Sequence, residues 1–203
     1  MLSKSLERTL FNSPINFWVQ KALDIPVLLK WAKIPKKASI LEIGCGNGKV
    51  ACFLSEKLKT KNFDAIDIDP QIIATAESLL PKNSNVIFQV ANTCKLPFPD
   101  SSFDAVIELN ALHHIADWKR AINQIKRVLK KDGKLLLRDF GIEAFSLPVI
   151  GLLIRSWLDN PYEHMYDQKE LMSYLRKSGF EITHQYDSSF MLMLVATLTG
   201  KKK

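Results

Sequence analysis

Glu42, Gly44, Gly46 and Gly48 stand two residues apart within Ser39-Ile40-Leu41-Glu42-Ile43-Gly44-Cys45-Gly46-Asn47-Gly48-Lys49-Val50, an apolar strand running into a glycine turn and then a helix. Glycine lets the main chain approach a ligand closely, and the free N–H groups of a following helix favour an anion. Cys45 and Asn47 fill the turn between the glycines. A dinucleotide loop of the form G-x-G-x-x-G needs glycine at position 49, where this chain has Lys49. Two further constellations carry chemistry. Asp67 ends a second apolar run, Ala65-Ile66-Asp67-Ile68-Asp69-Pro70, and is placed to accept from a pair of hydroxyls. His113 and His114 stand together past a third run, and an imidazole with a pKa near 6.5 is a natural general base. The structural alternative is that one imidazole caps a loop while the other flanks a ligand. Cys45, Cys52 and Cys94 show neither paired nor C-x-x-C spacing, so no disulfide and no metal site is expected, and a reduced, cytoplasmic compartment is the simplest expectation.

These residues need a scaffold that brings strand ends together. From Ala38 the chain alternates strand and helix, which predicts an α/β fold with a mostly parallel sheet covered on both faces. Strands are expected near 38–43, 63–68, 85–90, 103–108, 134–139, 180–186 and 190–198. The last two are joined by the short turn Asp187-Ser188-Ser189, so they must be antiparallel. Asp69-Pro70 reads as an N-cap with first-turn proline, a stronger reading for Asp69 than ligand contact. Asp117 should cap a basic helix ending before Gly133. Ahead of the sheet, Leu2, Leu6 and Leu10, the Ser13-Pro14 start signal, and Phe17, Trp18 and Leu23 predict a helical cap, broken at Ile25-Pro26.

The spacing acid-x-G-x-G-x-G resembles the first motif of the class I S-adenosylmethionine-dependent methyltransferases. Further motifs follow in the order of the ubiquinone and menaquinone biosynthesis (type 11) branch: Ala65 to Pro70, Gln89 to Asp100, Phe103 to Ile107, Asn110 to Ile115 and Arg127 to Leu135. The resemblance implies a Rossmann-like sheet of seven strands with a reversed final hairpin, and S-adenosylmethionine as cofactor. It implies cofactor contacts from Glu42, Gly44, Cys45, Gly46, Asn47, Gly48, Asp67, Ile68, Asn92, Thr93 and Leu109. Asn92 and Thr93 should meet the adenine ring; an asparagine both donates and accepts, so its edge is open. Glu42 either meets the amino end of the cofactor or braces the glycine loop. The resemblance also makes residues 141–166 a substrate-covering insertion between a 38–140 cofactor-binding core and a 167–203 final helix and hairpin, all within one domain capped by 1–37. Phe145, Trp157, Tyr162 and His164, with Phe17 and Trp18, would line an apolar chamber for a small hydrophobic acceptor, or else pack as ordinary core.

At 203 residues, 47% apolar and 24% charged, the composition suits one globular domain. The net charge of +7 keeps a nucleic-acid methyltransferase in view. Yet Lys119, Arg120, Lys126, Arg127, Lys130 and Lys131 alternate with apolar residues at helical spacing and read as a solvated face. The loop Glu108-Leu109-Asn110-Ala111-Leu112 lacks the Asn/Asp-Pro-Pro-Tyr/Phe pattern of enzymes acting on exocyclic amines, and no cysteine follows a proline. No stable nucleic-acid partner is therefore expected. Lys201, Lys202 and Lys203 allow transient contact with an anionic membrane. The apolar stretch at 147–154 is far shorter than the roughly 20 residues a spanning helix needs. A non-catalytic scaffold of the same fold is the remaining alternative, against which the complete loop, Asp67 and the histidine pair speak.

Overall fold

A computed structural model describes residues 17–18, 20–82, 84–140, 166–188 and 191–200. The expected first helix lies outside them, as do the 141–165 segment and with it Phe145, Trp157, Tyr162 and His164.

Seven strands form one sheet: β1 Ser39–Ile43, β2 Asn62–Asp67, β3 Val86–Val90, β4 Phe103–Leu109, β5 Leu129–Asp139, β6 Phe180–Asp187 and β7 Leu192–Leu198, in the order β3-β2-β1-β4-β5-β7-β6. The first five pair in parallel, and β7 runs against both β5 and β6. This is the Rossmann-like arrangement expected, with its reversed final hairpin. Strands buried on both faces read as apolar runs, and β4 and β7 do so.

Among the described residues five α-helices cover the two faces: α1 Ile25–Ala32, α2 Lys49–Leu58, α3 Pro70–Ser78, α4 Trp118–Val128 and α5 Gln168–Lys177. Successive strand residues point to opposite sides. Ile40, Phe63, Ala65, Ile107, Leu136 and Val195 thus meet α1, α2 and α3. Leu41, Ile43, Ile66, Val106, Leu135 and Leu137 meet α4 and α5 on the other face. A widened π turn, Gln20–Asp24, leads into α1, whose Pro26 occupies the first turn, where no N–H is missed.

The basic helix ends earlier than the sequence suggests. Lys130 to Gly133 reads as a helix end with a glycine cap, but α4 stops at Val128 and Leu129 already pairs with Phe103. The N–H groups of Ser101 and Ser102 take the Arg127 and Val128 carbonyls, so the entrance to β4 terminates the helix. Lys130 then reaches Asp104, which also accepts from Ser39 N–H at 2.8 Å and so clips β1 to β4 at the end away from the glycine loop.

Candidate active site

The strand order reverses direction of growth between β1 and β4, and in open α/β sheets ligands bind outside the carboxyl strand ends at that point. A cavity of about 690 Å³ lies there. The turn after β1 forms its floor. Gly44, Gly46 and Gly48 all have positive φ, at 67°, 52° and 73°. A side chain on Gly44 would sit 2.3 Å from the Ala111 Cβ, and one on Gly48 would sit 2.3 Å from the Phe88 ring. These two glycines therefore let the loop after β4 and the side chain of β3 close onto the turn. Gly44, Cys45, Gly46 and Asn47 line the cavity; Gly48 does not, and its place is the left-handed start of α2 packed on Phe88.

Glu42 and Asp67 supply the negative wall. Glu42 is buried, lines the cavity, and its Oε2 has no partner among the described residues. Burial first, then repulsion from Asp67, pushes its carboxyl up to about 8. Asp67, at the tip of β2, accepts from Gly46 N–H at 3.3 Å and from Asp69 N–H at 3.1 Å. A carboxylate offers about four lone-pair sites, which leaves room for two more donors. Ile68 beside it is 68% exposed and lies on the cavity rim. Asp69 accepts from Gln71 N–H at 2.8 Å and caps α3, as its sequence suggests, while also reaching the rim.

Asn92 and Thr93 close the far wall after β3, and Leu109 joins them from β4. The Asn92 carbonyl oxygen accepts from Cys94 N–H at 2.8 Å and caps a short 3₁₀ turn. Its NH₂ group makes no hydrogen bond among the described residues, which leaves a donor on an exposed side chain at the cavity lining.

The histidines divide. His114 lines the cavity, whereas His113 does not. The His113 backbone N–H donates to Asp139 Oδ2 at 2.8 Å and its Nδ1 lies 2.5 Å from Asp139 Oδ1, behind the wall. The two rings are 3.9 Å apart. Burial and then the neighbouring His113 push His114 down to about 4, so its imidazole is neutral at neutral pH. Burial alone would raise Asp139, but His113 and further hydrogen bonds hold its carboxyl below the ordinary range.

Sequence reasoning missed this second layer. Glu108 is fully buried, its Oε1 accepting from Ala111 and Leu112 N–H at 2.5 and 2.9 Å and its Oε2 without a described partner. Burial, then Asp139, raises its carboxyl well above the usual range. Arg138 is buried in an ion pair with Asp24 at 2.9 Å and also donates to Asn110, tying the π turn to the β5 end and the loop after β4. The one signal was an acid at or near the end of an apolar strand, in Val106-Ile107-Glu108-Leu109 and Leu136-Leu137-Arg138-Asp139. Of the two described residues expected to line an acceptor chamber, Phe17 lines the cavity; Trp18 does not and is 61% exposed. Tyr166 lies in the core against Trp118. No group of three metal-ligating side chains exists among the described residues.

Comparison with known proteins agrees with this geometry. Residues 41–137 match the methyltransferase domain family model. The chain is 33% identical over 118 residues to the uncharacterised methyltransferase YcgJ of Bacillus subtilis, covering 57% of this chain and 46% of that protein. It is 31% identical over 124 residues to the demethylmenaquinone methyltransferase of Thermus thermophilus, covering 61% and 54% respectively. The chain thus spans about half the length of the curated relatives it matches. An S-adenosylmethionine-dependent methyltransferase from Methanosarcina mazei superposes with a TM-score of 0.71 at 25% identity, over 85% of this chain and 96% of that one. The glycine turn, the carboxylate at the tip of β2 and the sheet order fall within the matched stretch, and residues 41–137 form a methyltransferase domain of the class I, S-adenosylmethionine-dependent, type 11 family.

Proposed function

We propose that this chain transfers the methyl group of S-adenosylmethionine to a small, apolar, quinone-like acceptor. The observation that carries the reading is the polar order along the cavity: the unpartnered Glu42 oxygen, then Asp67, then the Asn92 amide donor. That order suits a ligand with an ammonium at one end, a vicinal diol in the middle and a heteroaromatic ring at the other. When bound, the cofactor supplies a methyl group on a sulfonium, already activated and with a neutral leaving group.

The residues of the chain then have defined tasks. Glu42 would hold the ammonium in its ionised form, its proton passing to solvent. Asp67 would accept from the two ribose hydroxyls through its remaining lone pairs. Asn92 would donate to a ring nitrogen, with Ile68 and the backbone from Gly44 to Asn47 completing the lining. His114, the one imidazole on the described cavity wall, faces the acceptor and takes the proton it loses, with His113 and Asp139 fixing its position from behind. Alignment and exclusion of water supply much of the rate, since correct orientation alone is worth roughly 7 to 11 kcal/mol. The Thermus relative is named for demethylmenaquinone, and Phe17 adds an apolar wall to the cavity here; both support an apolar acceptor.

The test is incubation with isotopically labelled S-adenosylmethionine and a cell extract separated into lipid, metabolite and RNA fractions, followed by mass spectrometry. One apolar component gaining a single labelled methyl group supports the reading. Label in RNA alone, or cofactor binding with no transfer to any fraction, refutes it.

A further inference from the structure

The segment from Trp18 to Lys37 has a face that neither the cavity nor the core uses. Trp18, Leu23 and Val27 are 61%, 62% and 37% exposed, and Ala22 and Pro26 beside them are exposed as well. The widened π turn absorbs the spacing of five between Trp18 and Leu23, and the α spacing of four brings Val27 onto the same line. The opposite side, with Ile25, Leu28 and Ala32, is buried on the sheet.

Charge on this segment is of one sign. Lys30, Lys33, Lys36 and Lys37 are exposed, and Lys21 lies over the Phe17, Trp18 and Phe53 rings at 5.8, 5.0 and 4.8 Å. The segment's one acid, Asp24, is buried against Arg138. No ion pair joins any of these five lysines to a described acid. The basic helix α4 differs: Lys119 pairs with Glu170, Arg127 with Asp100 and, just past it, Lys130 with Asp104. Among the described residues, positive charge without an ion-pair partner therefore shares this segment with exposed apolar side chains.

We propose that this face docks on an anionic bilayer surface, with Trp18, Leu23 and Val27 entering the headgroup boundary and Lys30, Lys33, Lys36 and Lys37 on the lipid phosphates. An interfacial helix pairs an apolar strip bearing tryptophan with flanking lysines, and this segment has both. A nucleic acid would neutralise the lysines but leave the apolar strip in water, since its outer surface is phosphate. Phe17 and Gln20, from the same segment, line the cavity, so the docked face adjoins the cavity wall. The proposal goes beyond methyl transfer and holds whichever acceptor is used.

The experiment is co-sedimentation of the full chain with phosphatidylglycerol–phosphatidylcholine vesicles and with pure phosphatidylcholine vesicles. Strong partition to the anionic vesicles is expected, with brominated lipid quenching tryptophan fluorescence in the wild type and less so in Trp18→Phe. Leu23→Glu with Val27→Glu should lower the partition at least tenfold by analogy with burying charge at an interface. Lys30→Gln and Lys33→Gln should each lower it about fivefold. An unchanged thermal transition establishes that each variant folds, and the lysine variants, on exposed side chains, decide the matter if the double glutamate does not fold. Deleting Lys201 to Lys203 should leave the Leu23 and Val27 effect in place. The proposal is overturned by equal partition to both vesicle types, by variants that bind as the wild type does, by self-association in solution that Leu23→Glu abolishes without any vesicle binding, or by RNA binding through the same lysines in place of vesicle binding.

Discussion

Glu42 joins three conditions that water would separate: it is buried, it faces another carboxylate, and one of its oxygens has no described partner. Its folded pKa of about 8 lies above the ordinary value, so folding favours the protonated form. Its contribution to stability is complete below the unfolded pKa near 4.5 and is lost as pH rises through about 8. Glu42→Gln should therefore be more stable than the wild type above that range, by on the order of 5 kcal/mol in denaturant titration. The same residue makes cofactor binding pH-dependent: an arriving ammonium stabilises the ionised carboxyl, so binding at neutral pH should release close to one proton. Calorimetry in buffers of different ionisation enthalpy reads that proton, and Glu42→Gln should abolish it; heats independent of the buffer would contradict it. His114 has the opposite shift, down to about 4, so it adds no acid limb near pH 6.5 to the rate profile. His114→Ala should slow turnover by roughly 10²- to 10⁴-fold while leaving cofactor affinity intact, and an unchanged rate at saturating acceptor would remove it from the chemistry. Spacing in the sequence was enough to single out Glu42, Asp67 and the histidine pair. It was not enough to separate His113 from His114, because that depends on Asp139, 26 residues away in sequence and brought up by β5.

Elements carry the same contrast between local and distant causes. Most strand positions were legible because they are short apolar runs with turn residues at their ends, and the start of α3 was legible because Asp69-Pro70 settles it locally. The end of α4 was not, since the backbone of Ser101 and Ser102, more than two dozen residues earlier, takes its last carbonyls. Nor does any local signal show that Asp24 is held by Arg138 across 114 residues. That pair fastens the π turn before α1 to the end of β5, and with it Gln20 on the cavity wall. Removing one partner leaves a buried charge uncompensated. Arg138→Met should destabilise the fold by about 3 to 5 kcal/mol in denaturant titration, and Asp24→Leu in the same chain should return much of that loss. Additive losses in the double variant would mean the two residues do not act as a pair.

At the scale of the molecule, alternating strands and helices specify the doubly covered sheet, and the sheet order places the cavity at its switch point. The grouping of these residues was therefore readable: ten of the eleven expected to contact the cofactor line one cavity, the exception being Gly48, whose conformation serves the start of α2. The acceptor side was not, because the residues expected to cover it, His164 apart, are aromatic side chains of the kind any core contains, and four of the six lie outside the described residues. Everything proposed about catalysis depends on an adenosyl sulfonium occupying that cavity with its diol on Asp67. The direct measurement is a calorimetric titration of the chain and of Asp67→Ala with S-adenosylmethionine and, separately, with NAD. Saturable one-to-one binding of S-adenosylmethionine is predicted, weakened roughly 10- to 150-fold by Asp67→Ala, with no heat from NAD. Binding of NAD instead, or equal S-adenosylmethionine affinity in wild type and variant, would contradict it.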